Sequence, residues 1–329
     1  MAPIPITFAC SDSDRTRALI DGRITIEGCD TTYLVLEPAE MFGRACRYAE
    51  FDITELSFSS YMRMVDMGGS YYIGVPAFLS RAFRHSSIYI RTDRGIHSPA
   101  DLKGRLVGVP EYQMTAALWL RGMFQDDYGV SPADIRWRTG GQEQPGREER
   151  MPVAIPDLDL APIPPTRTLS DMLAAGDIDA MLSARTPSVY LRRAPYIDRL
   201  FPNYKEIEQA YFRRTKYFPI MHLVAVRTSL VERYPWLPAS VFKALLAAKA
   251  IGLERLTNLA QLAVALPWME AEAVETQALM GKDYWRYGVA ECRHEIEVMT
   301  RYAYEQKLTQ RRLGVEELFA PSTITMSKI

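Results

Sequence analysis

The chain has 329 residues, which at about 100–200 residues per domain predicts roughly two domains. Hydrophobic residues make up 48% and charged residues 24% of the sequence, and this balance excludes a disordered or low-complexity chain. The formal net charge is −1, so neither a nucleic acid nor a membrane surface is expected as a partner.

The pattern of apolar residues predicts an α/β protein. Short apolar segments alternate with helical patterns through the first two thirds of the chain, as in layered folds with mainly parallel sheets. The predicted strands are 4–9, 32–37, 52–56, 72–78, 88–91, 105–109, 178–183 and 221–227. The predicted helices between them are 15–20, 39–48, 60–67, 114–128 and 169–175.

Beyond Arg227 the pattern predicts helices only. Six apolar residues of this tail recur at helical spacing and are expected to share one packing face. They are Val241, Leu245, Ala248, Leu256, Leu259 and Ala263.

Segment 140–166 is rich in proline and glycine, and we name it the Pro-rich arm. Its six prolines exclude a helix or a central strand. They are Pro145, Pro152, Pro156, Pro162, Pro164 and Pro165. Because strands are predicted on both sides, the arm is expected to lie within one lobe.

The sequence favours a cytoplasmic protein. No apolar run reaches the ~18 residues that a membrane helix needs. The first residues, 1–9, lack the basic and long apolar segments of an export signal. The four cysteines, which have no C-x-x-C spacing, favour a reducing compartment. They are Cys10, Cys29, Cys46 and Cys292.

Residues 91–109 carry the first resemblance to known proteins. Here an Asp-Leu-Lys-Gly turn at 101–104 leads into a Val-Gly-Val strand at 107–109. This arrangement resembles the opening of the second lobe in type II periplasmic-binding-protein folds. The resemblance implies two α/β lobes joined by two crossover strands, near 86–91 and 219–226, with a ligand cleft between the lobes.

Further segments resemble the 4,5-dihydroxyphthalate decarboxylase family. In their order and spacing they cover most of the chain, from about residue 6 to residue 321. The segments are 52–61, 81–86, 108–116, 178–185, 199–202, 219–222 and 283–288. The last one departs from the family pattern at Arg286, where proline is expected.

The resemblance implies a two-lobed type II periplasmic-binding-protein-like fold. Lobe 1 is expected to comprise 1–90 and 222–329, including the helical C-terminal tail, and lobe 2 to comprise 91–221. It also implies non-oxidative decarboxylation of 4,5-dihydroxyphthalate, a small aromatic dicarboxylate, to protocatechuate. Each carboxylate of that compound is para to a hydroxyl, so a phenolate can drive protonation of the ring carbon. No cofactor and no metal are therefore expected.

Three residues are candidates for the proton transfers. His222 lies at the start of the predicted second crossover strand, and imidazole titrates near neutral pH. His85 would enter the first crossover, and Glu111 lies between a strand and a helix. Each has a structural alternative. The histidines could be hydrogen-bonded core residues, and Glu111 could be a helix N-terminal charge.

Eight further residues are candidates for holding the substrate. Serines, a threonine and a tyrosine near predicted helix starts could donate hydrogen bonds. Arginines near strand ends could grip a carboxylate with both guanidinium nitrogens, although most arginines in any protein are only solvated. The candidates are Ser57, Ser59, Tyr112, Thr115, Arg15, Arg81, Arg84 and Arg185.

Two other functions remain open from the sequence. A solute-binding or sensory module for aromatic carboxylic acids would use the same fold without turnover, and a decarboxylase for a related ring acid would differ only in its substrate. The aromatic residues Tyr284, Trp285 and Tyr287 are assigned to packing or subunit contacts. The tail could support a homo-oligomer.

Overall fold

A computed structural model describes residues 2–326. The chain packs into two compact units. Unit 1 comprises Met1–Arg81, Ile220–Glu297 and Leu313–Ile329, and unit 2 comprises Ala82–Pro219 and Val298–Arg312. The chain thus leaves unit 1 after Arg81 and returns to it at Ile220, and the segment Val298–Arg312 rejoins unit 2.

Strands and helices are interspersed up to residue 227, and all described elements beyond it are helical. The strands are β1 (Ile4–Cys10), β2 (Cys29–Val35), β3 (Ile53–Ser57), β4 (Tyr72–Arg81), β5 (Ile88–Arg91), β6 (Leu106–Val109), β7 (Arg136–Thr139), β8 (Leu160–Pro162), β9 (Ala180–Leu182), β10 (Ile197–Arg199) and β11 (Ile220–Arg227). The α-helices are α1 (Arg17–Ile20), α2 (Pro38–Tyr48), α3 (Phe58–Asp66), α4 (Thr115–Tyr128), α5 (Leu169–Ala175), α6 (Ser188–Leu191), α7 (Tyr204–Thr215), α8 (Thr228–Arg233), α9 (Leu237–Glu254), α10 (Met269–Met280), α11 (Val289–Glu305) and α12 (Pro321–Ile324).

Unit 1 is built on a five-stranded sheet of order β2-β1-β3-β11-β4. Strands β1, β2 and β3 are parallel, whereas β11 runs antiparallel to both β3 and β4. The carboxyl ends of β1, β3 and β4 and the amino end of β11 therefore meet at one edge of the sheet. In open α/β sheets this carboxyl edge is where ligands bind.

The ladder between β4 and β11 is irregular next to this edge. His222 pairs with Ser80, but Val224 already pairs with Val75, so four residues of β4 form a bulge opposite the single residue Leu223. Pro76, which has no N–H to give to a ladder, lies in the bulge. Bulges of this kind redirect side chains at functional edges.

Unit 2 is built on a six-stranded sheet of order β10-β5-β9-β6-β7-β8. Strands β6, β7, β8 and β9 are parallel, and β5 and β10 are antiparallel to their neighbours. The Pro-rich arm lies wholly within unit 2. Its one strand, β8, occupies an edge of the sheet, as its prolines require.

The helical tail departs from the predicted single face. Val241, Leu245 and Ala248 are buried on α9 as expected, but α9 ends at Glu254. A 3-10 turn and an irregular segment follow, so Leu259 is 67% exposed. The prediction is wrong beyond Glu254 because Thr257 and Asn258 favour turns, and the Asn258 side chain accepts from the Ala260 N–H. None of the helices described has the length and apolar character to cross a membrane.

Candidate active site

The carboxyl edge of the unit 1 sheet carries a histidine paired with a buried carboxylate. His222 Nδ1 lies 2.6 Å from Glu55 Oε1, and the Phe42 ring makes a T-shaped contact with the imidazole at a centroid distance of 4.8 Å. The Glu55 side chain is 3% exposed and that of His222 is 19% exposed. With Nδ1 engaged, Nε2 has no partner within residues 2–326. His222 is therefore oriented by protein at one nitrogen and available at the other.

The pairing follows from strand register. Ser57 faces His222 across the β3–β11 ladder, and Glu55 faces Val224. Since side chains two residues apart lie on one face of a strand, Glu55 and His222 share a face and lie diagonally across the ladder. The second Glu55 oxygen, Oε2, accepts a hydrogen bond of 2.9 Å from the backbone N–H of Ser11, just beyond β1.

Glu55 is held as an anion despite its burial. Burial alone raises its pKa, but the hydrogen bond and charge of His222 and the hydrogen bond from the Ser11 backbone N–H outweigh that effect, so the pKa lies below its ordinary value. A buried carboxylate against Nδ1 fixes the imidazole's orientation and stabilises the positive charge that it gains with a second proton. This arrangement suits a histidine that exchanges protons with a ligand.

Ser57 and Ser59 lie next to this pair. Ser57 ends β3 and is the ladder partner of His222, and Ser59 is in the first turn of α3. Both side chains are buried, and their hydroxyl oxygens are 3.5 Å apart. The structure therefore places the two predicted serines at the same edge as His222.

Arg15 also belongs to this edge. Its Nε donates to the carbonyl of Leu79, which lies in the β4 bulge, at 3.0 Å. Its guanidinium stacks on Trp285 at 4.0 Å and forms an ion pair with Asp14. The other predicted unit 1 arginine, Arg81, differs from it in having a wholly buried side chain.

The Arg81 side chain contacts residues of unit 1. Its guanidinium donates to the carbonyl of Arg286 at 2.8 Å and to the Cys292 sulfur at 2.9 Å, and it lies 3.5 Å from Glu295. These contacts hold the segment after residue 282 against the end of β4. We therefore give Arg81 no role in the chemistry proposed below.

In unit 2, Glu111 is the anchor of the Pro-rich arm. Its carboxylate is fully buried and accepts hydrogen bonds from Arg147 at 2.5 Å, Arg150 at 2.9 Å and Gln113 at 2.8 Å. Side chains of the same unit therefore occupy both carboxylate oxygens. The geometry supports a structural role.

Glu111→Ala should therefore destabilise the protein by about 3 kcal/mol, because it leaves two arginines and a glutamine without their buried acceptor. Urea unfolding measures this, and proteolysis within the Pro-rich arm should become faster. The neighbouring exposed Glu148, changed to Ala, is the matched control. A Glu111→Ala protein of unchanged stability that has lost turnover would instead restore Glu111 as a catalytic base.

Tyr112 and Thr115 face the interior of unit 2. The Tyr112 ring packs edge-on against Trp137 at 5.7 Å, and the Arg121 guanidinium lies 3.7 Å from its centroid. Burial raises the pKa of the Tyr112 hydroxyl. Thr115 is the buried first residue of α4. In this conformation both residues support the turn that carries Glu111.

His85 lies in unit 2, in an aromatic setting next to Glu208. Its ring packs edge-on against Phe201 at 5.7 Å and Tyr211 at 5.2 Å, and Nδ1 is 3.9 Å from Glu208 Oε1. Burial, aided by the charge of Arg214, lowers the pKa of His85 to about 4. Burial also raises the pKa of Glu208 to about 7. Both groups are therefore held towards their uncharged forms.

Arg84 precedes His85 and is subject to the same desolvation. Burial lowers the pKa of its guanidinium to about 10, with the charge of Glu208 opposing the shift. Arg185, the other predicted arginine of unit 2, is exposed just after β9. Its backbone N–H and carbonyl are tied to the Ser183 hydroxyl, at 3.1 Å and 2.6 Å.

His85 and Glu208 should have opposite effects on stability. Between about pH 6.5 and 4 the unfolded chain protonates His85 but the folded one does not, so this group lowers stability as pH falls. Between about pH 7 and 4.5 the folded protein protonates Glu208 first, so this group raises stability as pH falls. The two contributions, each roughly 3 kcal/mol, should nearly cancel in the natural protein.

Glu208→Gln should expose the histidine contribution, and the free energy of unfolding should then drop as pH falls from about 6.5 to 4. Thermal or urea unfolding across this range measures it. A variant whose pH profile parallels that of the natural protein would show that the two groups do not titrate as described.

Comparison with known proteins places the chain in a family. A 4,5-dihydroxyphthalate decarboxylase from Comamonas testosteroni is 43% identical over 330 residues, covering 100% of both chains. A second, from Pseudomonas putida, is 43% identical over 218 residues, covering 66% of this chain and 84% of that one. The chain belongs to the 4,5-dihydroxyphthalate decarboxylase family. No family model matches the sequence.

Solved structures show the fold of this family member. The periplasmic aliphatic sulphonate binding protein of Escherichia coli is 10% identical, with a TM-score of 0.56 over 99% of this chain and 100% of that one. A Candida albicans protein with the generic periplasmic binding protein fold is 8% identical, with a TM-score of 0.57 over 100% of this chain and 99% of that one. The predicted family and the predicted two-lobed α/β fold class are both confirmed.

Sequence reasoning missed two features of this decarboxylase-family site. Glu55 stands within a strand whose residues are all buried, and a carboxylate in such a strand signals a buried partner. Trp285 was assigned to packing, whereas its ring supports Arg15 and its Nε1 donates to the Phe78 carbonyl at 2.8 Å. For Glu55 a signal was available: it lies two residues from Ser57, so both side chains are on the same face of the strand. Nothing in the sequence pattern indicated the second.

Proposed function

We propose that this protein is a carboxy-lyase that converts 4,5-dihydroxyphthalate to protocatechuate, with His222 as the group that protonates the ring. Membership of the decarboxylase family supports the reaction and the substrate. The observation that supports the mechanism is the contact of 2.6 Å between His222 Nδ1 and the buried Glu55 carboxylate. No residue of unit 2 is given a catalytic role.

The substrate itself supplies the electrons. A hydroxyl para to each carboxylate pushes electron density onto the ring carbon that bears that carboxylate. A proton adds to this carbon, the electron pair of the bond to the carboxylate returns to the ring, and carbon dioxide leaves. One proton is consumed for each carbon dioxide released, and it ends on the ring carbon in place of the carboxylate.

His222 is suited to deliver that proton. Its Nε2 is the nitrogen that Glu55 leaves available, and imidazole is the side chain that most often serves as a general acid or base in enzymes. Glu55 stabilises the protonated imidazole before transfer and keeps the ring in one orientation afterwards. Solvent then returns a proton to His222.

Turnover distinguishes this function from the alternatives. Purified protein mixed with 4,5-dihydroxyphthalate should release one protocatechuate and one carbon dioxide per substrate, with the same rate after treatment with a chelator. Phthalate and single-hydroxyl analogues test the requirement for the para hydroxyl. Saturable binding of 4,5-dihydroxyphthalate with no product would identify a binding or sensory protein, and turnover of another ring acid alone would reassign the substrate.

A further inference from the structure

Arg15 is held in place on three sides. Nε donates to the Leu79 carbonyl at 3.0 Å, one terminal nitrogen pairs with Asp14, and the flat face stacks on Trp285 at 4.0 Å from the ring centroid. The remaining terminal nitrogen has no partner in the described part of the chain. The side chain is 17% exposed. Arg15 is thus a fixed guanidinium with donor capacity left over.

This guanidinium is anchored at the sheet edge that carries the His222–Glu55 pair. Leu79, which accepts from Arg15, is adjacent to Ser80, the ladder partner of His222. Arg15 also follows β1 by a few residues, at the same sheet edge at which the Ser11 N–H reaches Glu55. The positive charge and the proton-transfer pair therefore share one edge of unit 1.

The buried hydroxyl of Tyr287 is a further polar group at this edge of unit 1. Tyr287 is 1% exposed, and its Oη has no hydrogen-bond partner among residues 2–326. Burial raises the pKa of this hydroxyl, the charges of Arg15 and Arg81 oppose the rise, and those of Asp14 and Glu55 add to it. Arg15 and Glu55 thus both act on one orphaned hydroxyl. A buried hydroxyl without a protein partner is an unused hydrogen-bonding group at this place.

Trp285 determines where Arg15 points. Its indole Nε1 donates to the Phe78 carbonyl in the β4 bulge, so both edges of the Arg15–Trp285 stack are fastened to the same strand. The segment carrying Trp285 is fixed in turn by Lys249, which donates to Asp283 at 2.8 Å and to the Trp285 carbonyl at 3.0 Å. Lys249 is itself buried.

We propose that Arg15, braced by Trp285, binds the carboxylate that the substrate keeps. The inference rests on the proposed function. The two carboxylates of 4,5-dihydroxyphthalate are equivalent, so the one positioned for protonation is lost and its neighbour remains in the product. Arg15 binds this second carboxylate through a charge-assisted hydrogen bond, and Trp285 is a positioning residue that acts through Arg15.

Binding of stable ligands tests the proposal without turnover. Phthalate has two carboxylates, protocatechuate has one, and catechol has none. For Arg15→Met, titration calorimetry should show phthalate and protocatechuate bound about 10- to 100-fold more weakly than by the natural protein, with catechol unchanged. Arg17→Met is the matched control, because Arg17 lies two positions away in an exposed pair with Asp12 and should change no affinity.

Trp285 is tested by kinetics. Trp285→Leu removes the stacking surface and should raise KM for 4,5-dihydroxyphthalate while kcat falls much less. Trp285→Phe keeps an aromatic face and loses only the bond to Phe78, so it should restore most of the affinity for carboxylates. A merely structural tryptophan would lower the melting temperature and weaken all three ligands alike.

The outcomes separate this inference from the proposed function. If Arg15→Met weakens all three ligands equally, or none of them, the carboxylate role of Arg15 is overturned. If 4,5-dihydroxyphthalate yields no product but the carboxylate-dependent losses occur, the proposed reaction fails and the binding role of Arg15 stands.

Discussion

Replacing His222 with Gln should lower kcat for 4,5-dihydroxyphthalate by about 10²- to 10⁴-fold, the range that a positioned general acid contributes. Glutamine can still approach Glu55, but its amide has no proton to transfer to a ring carbon. Affinity for the product should change little, because the imidazole is proposed to act on the reacting carbon and not to hold the carboxylate. Steady-state kinetics and calorimetry with protocatechuate measure the two effects separately.

The control for this variant is His294→Gln. His294 is exposed on α11, and its replacement should leave both kcat and product affinity unchanged. If His222→Gln retains the natural kcat, His222 is not the proton donor. If its activity falls only in proportion to the fraction of folded protein, His222 is a structural residue.

Glu55→Gln should lower kcat roughly 100-fold, an effect typical of a residue that orients a catalytic histidine. The amide has the shape of the carboxylate but no negative charge to stabilise protonated His222, and half of its polar surface is a donor. Because Glu55 and His222 act as a unit, the double variant should be scarcely slower than His222→Gln alone. Kinetics of the two single variants and the double variant measure this coupling.

The contribution of Glu55 to the free energy of unfolding should decrease as pH falls. The carboxylate has a lowered pKa in the folded protein, so its contribution is present above the pKa of the unfolded chain and is lost as pH falls through the lower, folded value. Glu55→Gln should remove this acid dependence. Glu27→Gln is the control, since Glu27 is exposed. Additive kinetic effects of Glu55→Gln and His222→Gln would contradict a functional pair.

Most elements of the fold could be predicted from the apolar pattern. All eight predicted strands occur, although the second begins at Cys29 and not at 32. The missed strands are β7, β8 and β10, of three or four residues each. Arginines in β7, a proline in β8 and an aspartate and an arginine in β10 hid their strand character. These segments are strands because they pair with other strands of the unit 2 sheet, which lie elsewhere in the sequence.

The site could be predicted only in part. The position near strand ends predicts site roles for four residues, and the structure places all four at one sheet edge of unit 1. They are His222, Ser57, Ser59 and Arg15. Glu55 was not selected, because its pairing depends on the register of β3 against β11. Strand order and register are set by the whole sheet, and no local spacing reveals them.

Glu111 is the opposite case, a residue for which the sequence predicted a catalytic role that its contacts do not support. Its place between a strand and a helix suggested a reactive carboxylate, but the sequence could not show that Arg147 and Arg150 return from the Pro-rich arm to bind it. Both arginines lie more than 30 residues further along the chain, so no local spacing indicates that they bind Glu111. We therefore interpret the turn at Glu111 as the point where the Pro-rich arm is anchored.

The central claim is that His222 transfers a proton to the ring carbon from which carbon dioxide departs. With carbon dioxide supplied, protocatechuate tests it by reversal: carbon dioxide adds to the ring carbon, and the group that protonated this carbon removes its hydrogen. In D₂O the natural protein should replace that one hydrogen with deuterium, at the carbon beside the remaining carboxylate and para to a hydroxyl, as followed by proton NMR. The account predicts no exchange with His222→Gln at saturating protocatechuate, and exchange at the natural rate by that variant would contradict it.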